Sequence, residues 1–327
     1  MSRPLQVADE QPSAEEAAVI RDFMAFLRSA SEKRHPSGTM RRFNQPRHAG
    51  CVEGEFTIPD TLPEELRVGL FARPGTYPAF VRFANASSST SATDRDADIR
   101  GMSIQVRGIG EGNLTPGSTT QDFVLNSHPV MVAPGAKQFL ELLRATEAGG
   151  IRAVWYFLTH LRAVRIGLAA RSHPTCHLDI PYWSTTPFLF GPRRAVKYKA
   201  RPTSPTKSSP PEKRTDGYLR DAMKRHLASS DATFDFMIQA QTDPQRMPIE
   251  DASIEWEEAS SPFRTIASLR IPAQDFDTPE RMARCEAIAF SPWNCLPEHR
   301  PLGGMNRARK AIYAELARFR AERNVGA

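Results

Sequence analysis

Two stretches, P-A-F-V-R-F-A-N (78–85) and R-G-M-S-I-Q-V-R-G (100–108), decide how this 327-residue chain is read. Both alternate apolar with other side chains at period two and are bounded by Gly, Pro or Asp, the pattern of a short strand. Working outward, E-G-E-F-T-I-P-D (53–60) and Q-D-F-V-L-N (121–126) repeat it. It returns in H-L-D-I-P-Y-W (177–183), A-V-K-Y-K-A-R-P (195–202), A-T-F-D-F-M-I-Q-A-Q (232–241) and F-R-T-I-A-S-L-R-I-P (263–272). About eight strands in two batches of four, parted by helices, predict an α+β chain. Its centre is an antiparallel eight-stranded β-barrel with flanking helices. No G-x-G-x-x-G or P-loop follows a strand, so nucleotide-binding folds are unsupported. Arg82, inside the 78–85 strand, fits either a solvated face or an inward functional one.

Helical spacing frames the strands. Ser13 and Glu16 form a capping box for a helix over 14–31, with an apolar stripe of Ile20, Phe23, Met24 and Leu27. Residues 1–40 therefore read as an N-terminal helical arm and 41–327 as the barrel domain. After Pro134, A-K-Q-F-L-E-L-L-R-A (136–145) is one helix and residues 152–171 are another. The stripe Val154, Leu158, Leu161 and Ile166 is expected to pack on the core. The same helix carries Arg152, Arg162, Arg165 and Arg171 beside Trp155, Tyr156 and Phe157, which also suits peripheral contact with a membrane surface. The Pro-rich stretch 201–214 reads as a surface loop.

The net charge is +6, with 43 basic and 37 acidic residues interleaved, so no block reads as a nucleic-acid arm. An excess of Arg suits a carboxylate-bearing ligand. The four cysteines form no C-x-x-C pair; disulfides are not expected and a reducing compartment is the default. No leader-like apolar segment and no run of about 18 apolar residues is present, so a soluble cytoplasmic protein is expected.

The C-terminal stretch F-S-P-W-N-C-L-P-E-H-R-P-L-G-G-M-N-R-A-R-K-A-I-Y (290–313) starts as a Pro-punctuated loop and becomes a helix from about Asn306. Residues four apart share a helix face, which puts Arg309 beside Tyr313. A guanidinium there favours the phenolate over the phenol, whose ordinary pKa is about 10. Tyrosinate is an axial ligand of heme iron. By itself R-x-x-x-Y reads as part of an ordinary amphipathic helix.

Four stretches, in order, resemble the heme catalase superfamily. They are R-R-F-N-Q-P-R-H-A-G from Arg41; F-V-R-F-A-N with R-D-A-D-I-R-G-M-S-I-Q-V; D-F-V-L-N-S-H-P; and F-S-P-W-N with R-A-R-K-A-I-Y. Catalases carry R-x-x-H, V-R-F, R-D-x-R-G, N-x-x-P and F-x-P-x-N leading to R-x-x-x-Y in that order. The P-E-H-R-P-L-G-G-M-N-R-A-R segment looks particularly like the small catalase-like proteins, the catalase-related peroxidases and allene oxide synthases. The sequence ends soon after Tyr313, so no counterpart of the C-terminal helical segment of ordinary catalases is expected.

The resemblance implies heme b (iron-protoporphyrin IX) with Tyr313 as proximal iron ligand and Arg309 keeping it ionised. It makes Arg82 and Arg42 propionate partners, Phe139 the aromatic packed on the porphyrin, and Asn126 the distal amide. Two registers remain open for the distal base. Aligned on its Arg, R-x-x-H becomes Arg42-Phe43-Asn44-Gln45 and puts Gln45 at the catalytic position; aligned on H-A-G, it gives His48. An imidazole shuttles a proton between peroxide oxygens near neutral pH and an amide does not. Ala84 replaces a usual hydroxyl residue, and His128 is a substitute base on the Asn126 face of a strand or else a structural His. Cys295, in a loop, is set aside as a thiolate ligand, and Cys176-His177 with His173 lacks a fourth ligand and reads as strand.

The activity implied is heme-dependent peroxide chemistry: O–O cleavage with peroxidase or weak catalase activity on hydrogen peroxide or an organic, including lipid, hydroperoxide. The alternatives are a lipid-hydroperoxide isomerase or dehydratase of the allene oxide synthase type, and a heme-binding protein without catalysis. A homo-oligomer is expected, as among small members of the superfamily.

Overall fold

Residues 79–85 are buried on both faces of their strand, not on one. The computed structural model, which describes residues 5–324 apart from 39, 41, 44, 88 and 90, shows why. Strands β1 (His48–Ile58), β2 (Gly75–Asn85), β3 (Arg100–Arg107) and β4 (Thr120–Asn126) form an antiparallel meander. After it come β5 (Tyr182–Trp183), β6 (Phe188–Leu189), β7 (Ala195–Pro202), β8 (Ala232–Ala240) and β9 (Arg264–Ile271). The sheet runs β5-β4-β3-β2-β1-β9-β8-β7-β6, and β5 also pairs with β7. Eight strands thus close into an antiparallel barrel, leaving the two-residue β6 as an appendage on β7.

The interior is aromatic. Phe56, Phe123 and Phe236 meet at centroid separations of 4.6 to 6.0 Å, and Val81, Phe83, Ile104 and Leu125 complete the same core. Because successive strand residues face opposite sides, Val81 and Phe83 pointing inward send Arg82 outward. That outer face is covered too, by helices and the candidate site. The period-two pattern here separates barrel interior from a second buried layer, so the solvated reading of Arg82 fails: it is 3% exposed.

Seven α-helices flank the barrel among the described residues: α1 (Glu16–Arg34), α2 (Ala136–Ala148), α3 (Gly150–Thr159), α4 (Leu161–Ala170), α5 (Tyr218–Leu227), α6 (Pro279–Ala287) and α7 (Gly304–Asn324). The expected capping box is not made. Glu15 is the N-cap, without a side-chain bond, because Glu16 is drawn away to Arg307 on α7 at 2.7 Å. Arg307 also pairs with Glu10 and Glu250, a charge network that fixes the start of α7 against α1. Phe23, Leu27 and Ala30 of α1 pack with Ala308 and Ile312 of α7.

Four further expectations are corrected. Residues 152–171 are not one helix but α3 and α4, broken at His160. Their stripe does not pack on the core: Val154, Leu158 and Leu161 are exposed. In 177–183 the Tyr182 hydroxyl bonds back to the His177 carbonyl at 2.8 Å, curling His177–Asp179 into a 3-10 turn and leaving two strand residues. Cys51 and Cys285, expected as free thiols, are joined in a disulfide with Cα atoms 5.5 Å apart. Cys51 lies on the outer face of β1 where α6 rests. A sequence separation of 234 between the partners leaves no spacing signal in the chain.

Candidate functional site

The strand registers align side chains on the outer barrel face. Arg82 stands opposite Ser103, which stands opposite Val124; one step along, Ala84, Gly101 and Asn126 form the next row. Between this face and α7 lies a cavity of about 580 Å³, walled also by α1, α2 and the 289–294 segment. The size is that of a cofactor or ligand site.

The 289–294 segment is held by Asp122 on β4. Its carboxylate accepts from the Ser291 N–H at 3.0 Å and from Asn294 Nδ2 at 2.8 Å. Burial nonetheless pushes Asp122 up to about 6. Trp293 Nε1 donates to the Asn306 carbonyl at 2.8 Å, tying the segment to the first turn of α7. The F-S-P-W-N stretch is therefore the strap that joins β4 to the helix carrying Tyr313.

On the α7 side, Arg309 and Tyr313 both line the cavity. Arg309 donates to Thr186 Oγ1 and Asn306 Oδ1, each at 3.2 Å. Among the described residues no hydrogen bond joins it to Tyr313, which lies one helical turn on. Phe139 of α2 and Val132 supply apolar wall. Cys295 lies outside the lining, and burial pushes its thiol up to about 12, so it stays protonated.

Gln45, Asn126 and His128 also line the cavity. Gln45 Nε2 donates to Asn126 Oδ1 at 3.4 Å, and Arg82 donates to the Gln45 main-chain carbonyl at 2.6 Å. Gln45 sits at φ +56°, the left-handed region that a non-glycine residue adopts only when its surroundings hold it there. His48 is not a lining residue. It pairs with Ala84 across the β1–β2 ladder, and its ring lies 3.6 Å from both Glu286 Oε2 and Cys285 Sγ. Arg41 and Asn44 of the same motif lie outside the described residues. Burial lowers the His128 pKa, so that ring is neutral at pH 7.

Three guanidinium groups gather at one side of the cavity. Arg42 pairs with Glu286 at 3.0 Å and caps the end of α6 through the Cys285, Glu286 and Ile288 carbonyls. Arg82 keeps a buried Nε without a hydrogen-bond partner. Arg320 lines the cavity and makes no hydrogen bond or ion pair among the described residues. Burial, and then the neighbouring Arg42 charge, bring Arg82 down to about 9; burial brings Arg42 to about 10 and lowers Arg320. One carboxylate, Glu286, answers three cations. Such an excess in a desolvated site calls for an anionic ligand.

Arg320 was not singled out from the sequence. The signal existed: it lies seven residues after Tyr313, two turns along the same helix face. The partners of Gln45 were legible only in three dimensions. A Cβ at Gly101 would meet the Gln45 amide at 2.4 to 2.7 Å, so the missing side chain at 101 is what lets the amide lie over the sheet. Gly101→Ala is expected to push that amide off Asn126. Because the far end of a side chain gives way, the cost in stability is expected near the lower end of the roughly 1–3 kcal/mol of an overpacked site. Thermal melting checks the second effect, and the Gln45–Asn126 separation in a structure of the variant checks the first.

No family model matches the sequence. A catalase-related peroxidase from Mycolicibacterium paratuberculosis is 26% identical over 230 residues, 66% of this chain and 69% of its own length. Among solved structures, a bacterial catalase superposes with a TM-score of 0.67 at 15% identity, over 96% of this chain. A fungal catalase gives 0.66 at 16% over 100%, and catalase A from Saccharomyces cerevisiae 0.65 at 16% over 98%. The chain spans 63% of the bacterial catalase and 68% of each of the other two. The architecture is the catalase fold.

Proposed function

We propose that the chain binds heme b in this cavity and acts on peroxides as a catalase-like peroxidase. One observation carries the reading: a lone phenol, Tyr313, faces an apolar cavity whose side wall collects three arginines against a single carboxylate. That donor set fits the group. Tyr313 would ligate the iron, Arg82 and Arg320 would receive the propionates, and Phe139 and Val132 would flank the ring. Arg42, already bound to Glu286 and the end of α6, would contribute mainly its charge. When bound, the heme supplies the redox chemistry that cleaves an O–O bond.

The remaining residues orient and protonate. The side-chain N–H groups of Asn126 and Gln45 hold a peroxide oxygen by hydrogen bonding. Neither amide accepts a proton near neutral pH, whereas a neutral His128 has a lone pair to do so. This arrangement favours organic hydroperoxides and peroxidase turnover over rapid dismutation of hydrogen peroxide. The pair of amides in an apolar chamber also favours a second reading, rearrangement or dehydration of a lipid hydroperoxide, which needs no external reductant.

Reconstitution with hemin followed by absorption spectroscopy tests the first claim: a Soret band is expected, and its absence sinks the proposal. Oxygen release from hydrogen peroxide is then compared with consumption of a fatty-acid hydroperoxide, with and without a phenolic donor. Donor-dependent consumption supports the peroxidase, donor-independent consumption the isomerase. Inertness in both with heme bound leaves a heme-binding protein and overturns the enzyme.

A further inference from the structure

Apart from Leu5, every large apolar side chain that is exposed among the described residues belongs to α3 or α4. Ile151, Val154, Trp155 and Leu158 follow the i, i+3, i+4, i+7 spacing of a single helix face, and Leu161 and Leu168 continue it on α4. These six are 57% to 85% exposed. The face is turned outward by construction, not by detachment. Tyr156, on the opposite side of α3, is buried and its hydroxyl donates to the Gln138 carbonyl at 3.4 Å; Arg162 donates to the Ser253 carbonyl at 2.9 Å. Two ten-residue helices are thus fixed to the body with their apolar stripe pointing away from it.

The charges beside the stripe are of one sign. Residues 148–178 contain Arg152, Arg162, Arg165 and Arg171 and no Asp or Glu. Arg162 lies 3.8 Å from Asp251, while Arg152 and Arg165 have no carboxylate partner among the described residues. A second copy of this chain meeting the same face would bring its own arginines against these, in a contact where each patch must complement itself. An anionic surface complements them. Neither helix is long enough to cross a bilayer, and no helix of the described residues is long and apolar enough to do so.

We propose that α3 and α4 form a docking surface for anionic phospholipid bilayers, with the 151/154/155/158 face lying in the headgroup region and Arg152 and Arg165 on lipid phosphates. Trp155 sits where indole rings prefer to lie, at the boundary of acyl chains and water. The docked helix is hydrogen-bonded to Gln138, the neighbour of the cavity-lining Phe139. The proposal concerns the surface alone and stands whether or not the cavity binds heme.

Cosedimentation of the full chain with vesicles tests it. Binding to phosphatidylglycerol–phosphatidylcholine vesicles is expected, with little binding to phosphatidylcholine alone and weakening in high salt. The double substitution Trp155→Glu, Leu158→Glu is expected to lower affinity at least about tenfold. Arg152→Glu, Arg165→Glu is expected to abolish the preference for anionic lipid. Both variants should melt with the wild type, since the altered side chains are exposed. No vesicle binding by the wild type, or binding that survives both double substitutions, overturns the proposal. So does a wild-type dimer in sedimentation velocity that Trp155→Glu, Leu158→Glu converts to monomer while vesicle binding is absent, which assigns the face to self-association.

Discussion

Tyr313→Phe is expected to abolish the Soret band expected of the wild-type chain with hemin. Tyr313 is the only phenol among the residues that line the cavity, and α7 holds it one turn from Arg309 and two turns from Arg320. The substitution removes one oxygen from a half-buried ring, so the effect on folding should stay within about 1 kcal/mol. Loss of heme binding with an unchanged melting temperature is therefore the signature of a lost ligand. A Soret band of undiminished intensity and position in Tyr313→Phe would transfer the role to another lining donor. His128 is the single histidine there, and His128→Ala would check it.

Gln45→His is expected to raise hydrogen-peroxide dismutation by about 10²- to 10⁴-fold, the range that a positioned general acid–base contributes. The backbone at 45 already lies in the left-handed region, which histidine enters more readily than most residues. Gly101 leaves room above the sheet for the ring. Arg82, bonded to the residue-45 carbonyl, would disfavour the imidazolium and hold the new pKa below its ordinary value of about 6.5. The sign follows: the neutral, proton-accepting ring persists to lower pH than a free imidazole, so the rate should fall off only below about pH 6. His48→Ala is the control. Its ring faces Glu286 and Cys285, and its removal is expected to leave the peroxide rate within about twofold. A large loss in His48→Ala, with Gln45→His inert, would exchange the two positions.

Much of the barrel was legible because strand periodicity is local. The stretches 78–85, 100–108 and 232–241 reveal themselves through alternation alone, and the observed strands match them to within three residues at either end. Elements whose signals are short or borrowed did not. Helix α6 opens on Thr278 with proline in its first turn, a capping pattern present in the sequence but not read. Helix α5 has no side-chain cap at Gly217 and follows a Pro-rich loop, so little announced it. The failed capping box at Ser13 and Glu16 shows the converse case, a local motif overridden because Arg307, nearly 300 residues on, binds the same carboxylate.

By itself the sequence determined the antiparallel barrel of about eight strands; the resemblance its motifs carry added Tyr313, Arg309, Asn126, Phe139, Arg82 and Arg42, which all border one cavity. Alternation, helical spacing and motif order are properties of neighbouring residues, and they survive without a tertiary context. What only the tertiary structure decided is which face each side chain shows and to whom. Whether Arg82 met water or a cavity depended on what covers β2. Whether Gln45 or His48 entered the site depended on the room over Gly101 and on Glu286 and Cys285 engaging the imidazole. Whether the stripe of α3 packed inward depended on which side Tyr156 anchored. Burial is a relation between distant segments, and period-two or period-3.6 patterns identify a face without naming its partner.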